Sequence, residues 1–320
     1  MQEKGITTRL IAECPIAIVD LETTGLTPGA DRVVEVSVVR LDPGQSPRLA
    51  LDTLVNPMRP VAATEIHGIT EDDVLDAPRF NEIVGELVDV LSGCVLAAYN
   101  VYFDVRFLEY ELMNVGLKMI PPHLCLMYMR PMFGLGSRCR LDEACRAYGI
   151  EYQTQHVAAH DAQASSRLME HYIQVMKERG ISTFYDLAQL KQYRFVESFR
   201  NDPLPGALAF NLCGCERLRS RVSRIPEVAI DKDRQALGEY WDALTTVLDD
   251  LQITDDELEY MLNERSRLGL SKEQIRVLHA RAFANAIAQF ADDQWLDDDE
   301  MGKLRRLRRC LSQLGWAPGE

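Results

Sequence analysis

The chain has 320 residues, of which 47% are hydrophobic and 26% are charged, a balance typical of folded globular domains rather than disordered or fibrous chains. Its 35 lysines and arginines against 49 aspartates and glutamates give a net charge of −14, which argues against a protein that coats nucleic acid non-specifically. No apolar run approaches the roughly 20 residues that span a bilayer, and the first twenty residues lack a secretory signal. We therefore expect a cytoplasmic protein without a membrane partner.

The eight cysteines have no regular spacing, which argues against a disulfide framework in a chain of this length. No CxxC pair is present, so structural zinc is not indicated. Cys213 and Cys215 form a lone CxC that we interpret as incidental.

Residues 1–180 show the pattern of an α/β domain. Three apolar runs predict adjacent strands at residues 16–20, 33–41 and 49–56, and a fourth predicts a buried strand at residues 94–98. Apolar residues at helical spacing predict the four helices 80–91, 101–115, 141–148 and 161–177.

The next segment, residues 181–225, carries seven basic side chains and the breaker pairs Asp202-Pro203 and Pro205-Gly206. We predict a basic linker with some helix. The linker is either a solvated connector or a basic surface that helps to hold a nucleic-acid strand.

From residue 226 onward the pattern is helical, with 12 basic and 20 acidic side chains. An acidic motif at residues 249–258 recurs at residues 292–301, and in each copy Thr254 or Asp297 stands three residues before a glutamate, which is capping-box spacing. We predict a separate all-α domain over residues 226–320. It is either an acidic bundle without further role or a module for a protein partner or self-association. A chain ending near residues 177–180 would keep every candidate ligand discussed below, so we expect such a truncated chain to keep its basal activity.

The strongest chemical signal is Asp20-Leu21-Glu22-Thr23-Thr24-Gly25, directly after the first predicted strand. Carboxylates at i and i+2 point to the same face of an extended chain. Both could then reach hard divalent cations, which prefer oxygen ligands, although acids at a strand end are also commonly just solvated.

Two further pieces follow the same logic. Asp104 comes after a very apolar strand, at the start of a helix. His156 precedes Asp161 by five residues, at the opening of the helix that ends the domain. An imidazole that can take a proton near neutral pH would thus stand beside a metal-binding carboxylate.

Together, Asp20, Glu22, Asp104, His156 and Asp161 resemble the histidine-bearing, DnaQ-like (DEDDh) branch of the DEDD 3′→5′ exonucleases. Further segments of residues 13–178 are similar to that family in order and spacing, namely Glu65–Thr70, Asp72–Val74, Cys125–Arg130 and Leu141–Gly149. The resemblance implies an RNase H-like fold with a mixed sheet and a two-metal mechanism that uses Mg²⁺ or Mn²⁺.

The resemblance also implies residue roles. Asp20, Glu22 and Asp161 would bind one metal ion, with Asp20 bridging to the second, and Asp104 would act mainly through bound water. His156 would deprotonate the attacking water. The substrate, a nucleic acid with a free 3′ end, would meet a group of four residues: Thr23, Gly25, Ile66 and His67.

Some alternatives stay open. Tyr99 stands where many relatives have histidine, which affects substrate contacts but no metal ligand. His160 is an alternative candidate to His156 for the base. An adaptor that binds nucleic-acid ends or a protein without catalysis is the second reading, although it would not need all five residues. The Asp20–Gly25 motif resembles the DNA-proofreading type more closely, which implies DNA rather than RNA as the substrate. The C-terminal helices faintly resemble the TerB-like domain.

Overall fold

The computed structural model describes residues 5–152, 156–210, 212, 232–248, 253–290 and 298–319, and the chain divides into two compact units. The first unit comprises residues 1–24, 32–61 and 69–225, and the second comprises residues 25–31, 62–68 and 226–320. No sequence pattern indicated that two short segments of the first 70 residues belong with the C-terminal helices.

A mixed five-stranded sheet forms the centre of the first unit, as predicted. Its strands are β1 (Ile16–Thr23), β2 (Val33–Leu41), β3 (Arg48–Leu54), β4 (Val95–Ala98) and β5 (His123–Cys125). They lie in the order β3-β2-β1-β4-β5, with β1, β2 and β3 antiparallel and β1, β4 and β5 parallel. This is an RNase H-like arrangement. β5 is the strand that the sequence did not reveal, because three residues are too few to show a period.

The helices of the first unit include the four predicted ones, close to their expected positions, and three short helices whose positions the sequence did not indicate. They are α2 (Glu71–Val74), α3 (Phe80–Leu91), α4 (Val101–Asn114), α5 (Leu126–Met132), α6 (Leu141–Ala147), α7 (Ala158–Glu178) and α8 (Phe184–Leu190), while α1 (Thr64–His67) belongs to the second unit. α7 begins three residues before the predicted start and packs against β1 and β2. The apolar stripe of α3, from Phe80 to Leu91, is fully buried, as its spacing predicts.

The described part of the predicted linker is not a solvated connector. Residues 181–210 hold α8 and two 3₁₀ turns, Arg194–Arg200 and Ala207–Phe210, and they pack into the core of the first unit. Phe184, Phe195 and Phe199 are each 1% exposed or less. The apolar residues of this segment do not recur at regular helical intervals, so the sequence did not predict their burial. A chain ending near residue 180 would lose these side chains, which corrects the expectation that such a truncation is harmless.

Replacing Phe199 by alanine is expected to lower the free energy of unfolding of the first unit by about 3–5 kcal/mol. The ring packs edge-to-face on Phe184, with centroids 5.2 Å apart, and its removal leaves a cavity in a dense core. Calorimetric unfolding measures the loss. Tyr185→Ala is the matched control, since Tyr185 is 54% exposed and should change stability by less than about 0.5 kcal/mol. Equal effects of the two variants would contradict the packing seen here.

The described residues of the second unit beyond residue 231 are mainly helical, as predicted for an all-α domain. The helices are α9 (Lys232–Leu248), α10 (Asp255–Leu268), α11 (Lys272–Phe290) and α12 (Asp298–Gln313). Thr254 and Glu257 form the predicted capping box at the start of α10. The equivalent cap at Asp297 lies outside the described residues. No helix in the described ranges is long and apolar enough to cross a membrane.

Segment 62–68 contributes to the core of the second unit. Ala63 and Ile66 belong to the same buried cluster as Tyr240, Trp241 and Leu244 of α9, and α1 packs against α9. In addition, Arg281 of α11 forms an ion pair of 2.6 Å with Glu65. Short segments far away in sequence thus complete this helical unit.

Candidate active site

The acidic residues and the histidine that the sequence singled out come together at one edge of the sheet. β1 and β4 are parallel neighbours, so the end of β1 and the start of α4, which follows β4, lie at the same edge. Asp20 and Glu22 stand on β1, Asp104 lies in the first turn of α4, and Asp161 lies in the first turn of α7. His156 precedes α7 by two residues and is 8% exposed.

The end of β1 is irregular. Asp20 pairs with Ser37 and Glu22 with Glu35 on β2, but the register shifts between Glu22 and Thr23. Such bulges bend a strand and change the direction of its side chains, and they are common beside active sites. The two carboxylates share one face of the strand, as their spacing predicted.

A direct contact ties α4 to β1. The backbone N–H of Leu21 donates a hydrogen bond of 3.2 Å to Oδ1 of Asp104, which is 6% exposed. Burial raises the pKa of Asp104 to about 8, and the backbone hydrogen bonds lower it in part. A buried carboxylate in this position favours the binding of a cation, because the cation would offset the free-energy cost of burying the negative charge.

Asp161 is held on both oxygens. The Tyr152 hydroxyl donates to Oδ1 at 2.5 Å, and the backbone N–H of His156 donates to Oδ2 at 3.1 Å. His156 itself adopts a left-handed backbone conformation with φ of 56°, which is uncommon for a residue other than glycine. Tyr152 was not predicted as a site residue, since a single tyrosine in a loop carries no spacing signal.

The side chains of three of these residues converge at one place. Ligand atoms of Glu22, His156 and Asp161 all lie within 4.8 Å of one another. Burial raises the pKa of Asp20 well above its usual value, and the charges of Asp161, Asp104, Glu22 and Glu35 raise it further. Several carboxylates that destabilise one another's charged forms make a donor set that fits divalent cations with oxygen ligands.

Glu35 is the acidic residue that the sequence analysis missed. It lies within the Val-rich β2, is 1% exposed, and accepts a hydrogen bond of 3.2 Å from the backbone N–H of Ala158 at the start of α7. The only signal in the sequence was an acidic residue inside a predicted strand, and the structure places it opposite Glu22. A buried acid in an apolar strand calls for a partner, and this partner is the first residue of the helix that carries Asp161.

Glu35 is therefore expected to act as a positioning residue. Glu35→Ala should lower metal affinity and activity by about 10–100-fold, the usual size of effects from residues that orient metal ligands. Glu35→Gln should lose less, because its amide oxygen can still accept the Ala158 hydrogen bond. Mn²⁺ titration together with kcat measures both effects. The control is Glu71→Ala, at an exposed position on α2. Equal losses in the alanine and glutamine variants would rule out this role.

The predicted substrate-binding residues divide between the units. Thr23, at the end of β1, is 5% exposed. Gly25, Ile66 and His67 belong to the second unit, where Ile66 is part of the apolar core and Nε2 of His67 lies 3.1 Å from the Ala62 carbonyl oxygen. A Cβ on Gly25 would lie 2.5 Å from the Asp31 carboxylate, so this glycine is required by close packing. Contacts of all four residues with a substrate stay predictions.

Residues 17–169 of the chain match the RNase_T family, which is an exonuclease family. The mixed sheet and the carboxylate cluster are consistent with that match.

Among curated relatives, the chain is similar to a DNA polymerase III subunit epsilon-like protein of Rhodobacter capsulatus, with 34% identity over 54% of this chain and 26% of that protein. It is also similar to DNA polymerase III PolC-type of Bacillus subtilis, with 28% identity over 72% of this chain and 17% of that protein. The chain thus spans about a quarter or less of these relatives.

Two solved structures also align with the chain. One is the nuclease domain of 3′hExo, a DEDDh family member bound to rAMP, with 19% identity, a TM-score of 0.41, and coverage of 50% of this chain and 92% of that one. The other is cell-death related nuclease 4 (CRN-4), with 16% identity, a TM-score of 0.44, and coverage of 53% and 66%.

Proposed function

We propose that the chain is a metal-dependent 3′→5′ exonuclease that hydrolyses the terminal phosphodiester bond of a nucleic acid, with DNA preferred over RNA. The observation that carries this proposal is the clustering of Glu22, His156 and Asp161 within 4.8 Å. The DNA preference rests on the Asp20–Gly25 motif and on relatives that are named as DNA polymerase III proteins.

In this proposal Asp20, Glu22 and Asp161 would hold one Mg²⁺ or Mn²⁺, Asp20 would also serve a second ion, and Asp104 would act through water. The two ions, when bound, stabilise charge on the attacking and leaving oxygens of the phosphodiester. His156 takes a proton from the attacking water, whose oxygen forms the new bond to phosphorus. The bond to the 3′ oxygen of the preceding nucleotide breaks, and a nucleoside monophosphate leaves.

The backbone hydrogen bond from His156 to Asp161 supports this division of labour. It fixes the loop that carries the imidazole to the start of the helix that carries a metal ligand. Catalytic groups need such positioning, because small displacements cost large factors in rate.

The test is digestion of 5′-labelled and 3′-labelled strands of matched sequence, as DNA and RNA, single and double, with Mg²⁺ and then Mn²⁺. We expect a ladder of shortening 5′-labelled products and immediate release of the 3′ label as a mononucleotide. An Asp161→Asn preparation made in parallel controls for contaminating nucleases. Binding of the strands without hydrolysis in either metal would favour the hypothesis of a non-catalytic adaptor. Immediate release of the 5′ label would show that hydrolysis runs from 5′ to 3′, opposite to the proposal.

The C-terminal helices are proposed as a module for a protein partner or for self-association. The names of the relatives suggest a polymerase assembly as one such partner. The net charge of this region, 12 − 20 = −8 over residues 226–320, is unfavourable for gripping a phosphate backbone.

A further inference from the structure

A group of three tyrosines and three cations lies on the first unit, next to the start of α4. We define the tyrosine–cation surface as Tyr102, Tyr128, Tyr193, Arg138, Lys191 and Arg194. The rings of Tyr102 and Tyr128 lie 5.8 Å apart, and those of Tyr128 and Tyr193 lie 4.8 Å apart. The rings thus form a continuous row in which each is half-buried.

Each ring carries one cation. Arg194 lies 4.4 Å from the centroid of Tyr102, Arg138 lies 5.4 Å from that of Tyr128, and the Lys191 ammonium lies 4.7 Å from that of Tyr193. These are cation–π distances, which hold long flexible side chains in defined places. The row of rings therefore orders a row of positive charges.

The positive charge of this surface is available to a ligand. Lys191 and Arg194 are exposed and form no ion pair with a carboxylate in the part of the chain that the structure describes. Burial and the nearby charge of Arg194 lower the pKa of Arg106, and the charge of Glu109 raises it, which places a further cation with an acidic neighbour close to this row. A concentration of like charge on exposed side chains favours a polyanion.

The surface shares a helix with the candidate active site. Tyr102 and Asp104 both lie in the first turn of α4, with Cα atoms about 5.4 Å apart. Side chains two residues apart point to different sides of a helix, so a bound strand would have to cross the first turn of α4 between Asp104 and Tyr102. The start of α5 joins the same edge, because the Met127 N–H donates a hydrogen bond of 2.9 Å to the Tyr99 carbonyl. Segment 191–200 is fixed to α4 through the Phe195 N–H, which donates to the Tyr102 hydroxyl at 2.9 Å.

We propose that the tyrosine–cation surface binds the single nucleic-acid strand upstream of the 3′ end that enters the active site. Rows of basic and aromatic side chains are the usual means of holding single strands, with cations on phosphates and planar groups on bases. This inference rests on the proposed exonuclease function. It gives Lys191 and Arg194 a role in the binding of longer substrate strands.

The experiment measures binding of labelled oligothymidylates of about 4 and about 20 nucleotides by fluorescence anisotropy in EDTA, so that no cleavage is needed. The double variant Lys191→Ala/Arg194→Ala should raise the Kd of the long strand by about tenfold. For the long strand, the slope of log Kd against log salt concentration should become shallower by about 1.4, since the variant loses two phosphate contacts and each contributes about 0.7. The ratio of long-strand to short-strand affinity should fall accordingly.

Lys177→Ala is the matched control, because it removes an exposed positive charge at the far end of α7. Lys191→Arg/Arg194→Lys keeps both charges and should keep the affinity for the long strand. A double alanine variant that matches Lys177→Ala in Kd and salt dependence would overturn the proposal, and so would equal losses on both strand lengths. Binding by the wild type without hydrolysis in Mg²⁺ or Mn²⁺ would instead refute the exonuclease function.

Discussion

Asp20→Asn and Asp161→Asn are each expected to abolish metal-dependent hydrolysis while the protein stays folded. Both residues belong to the buried acidic cluster, and removal of one carboxylate takes away charge that holds the cation. Turnover of a 5′-labelled strand at saturating Mg²⁺ measures the effect. Asp76→Asn is the control, at an exposed position away from the cluster. Turnover like that of the wild type in either site variant would contradict the assignment of these ligands.

Asp20→Asn should also raise the free energy of unfolding in EDTA. Burial and four neighbouring carboxylates raise the pKa of Asp20, so its ionisation costs more in the folded than in the unfolded chain. This penalty is absent below the ordinary aspartate pKa of about 3.9, grows as pH rises, and is complete above the raised pKa. Chemical unfolding of the wild type and the variant at acidic and neutral pH measures the difference in the free energy of unfolding. We expect the variant to gain more stability at neutral pH than at acidic pH, and the opposite order would contradict the prediction.

His156→Ala is expected to leave metal binding in place and to slow the chemical step by about 10²–10⁴-fold, the usual contribution of a general base. His156 lies within the cluster of Glu22 and Asp161, whereas His160 is not a member of that cluster among the described residues. Single-turnover rates measure the loss, and Mn²⁺ titration confirms that the metal still binds.

The matched control is His160→Ala, which removes the other histidine of the same segment. It should be mild. If His160→Ala cripples the reaction and His156→Ala does not, the base has been assigned to the wrong residue.

Much of the first unit could be predicted because its elements carry strong periodic signals. The alternating, Val-rich β2 and the apolar stripe of α3 have the predicted bounds, and the mixed sheet is confirmed. Asp20 and Glu22 were predictable as a pair because the period of a strand is fixed at two residues. Elements of three residues, such as β5, are too short for this argument.

Other features could not be predicted because they depend on tertiary contacts. Glu35 reads as a polar interruption of a strand until its hydrogen bond to Ala158 is known. Phe195 and Phe199 belong to a 3₁₀ turn, whose side chains follow no helical stripe, so their burial was hidden. Ile66 could not be assigned to the helical unit, since sequence periodicity says nothing about contacts across so long a separation.

The discontinuous second unit has a consequence for the order of events during synthesis. Ile66 shares a core with Trp241, which lies 241 − 66 = 175 residues later in the chain. At about 5–20 residues per second, the ribosome needs about 10–35 s to cover that distance. The five strands of the sheet have all been synthesised once the ribosome has passed residue 125, so the strands of the first unit can pair early. Segment 62–68 must wait for the C-terminal helices, and Ala63 and Ile66 spend that interval without their apolar neighbours.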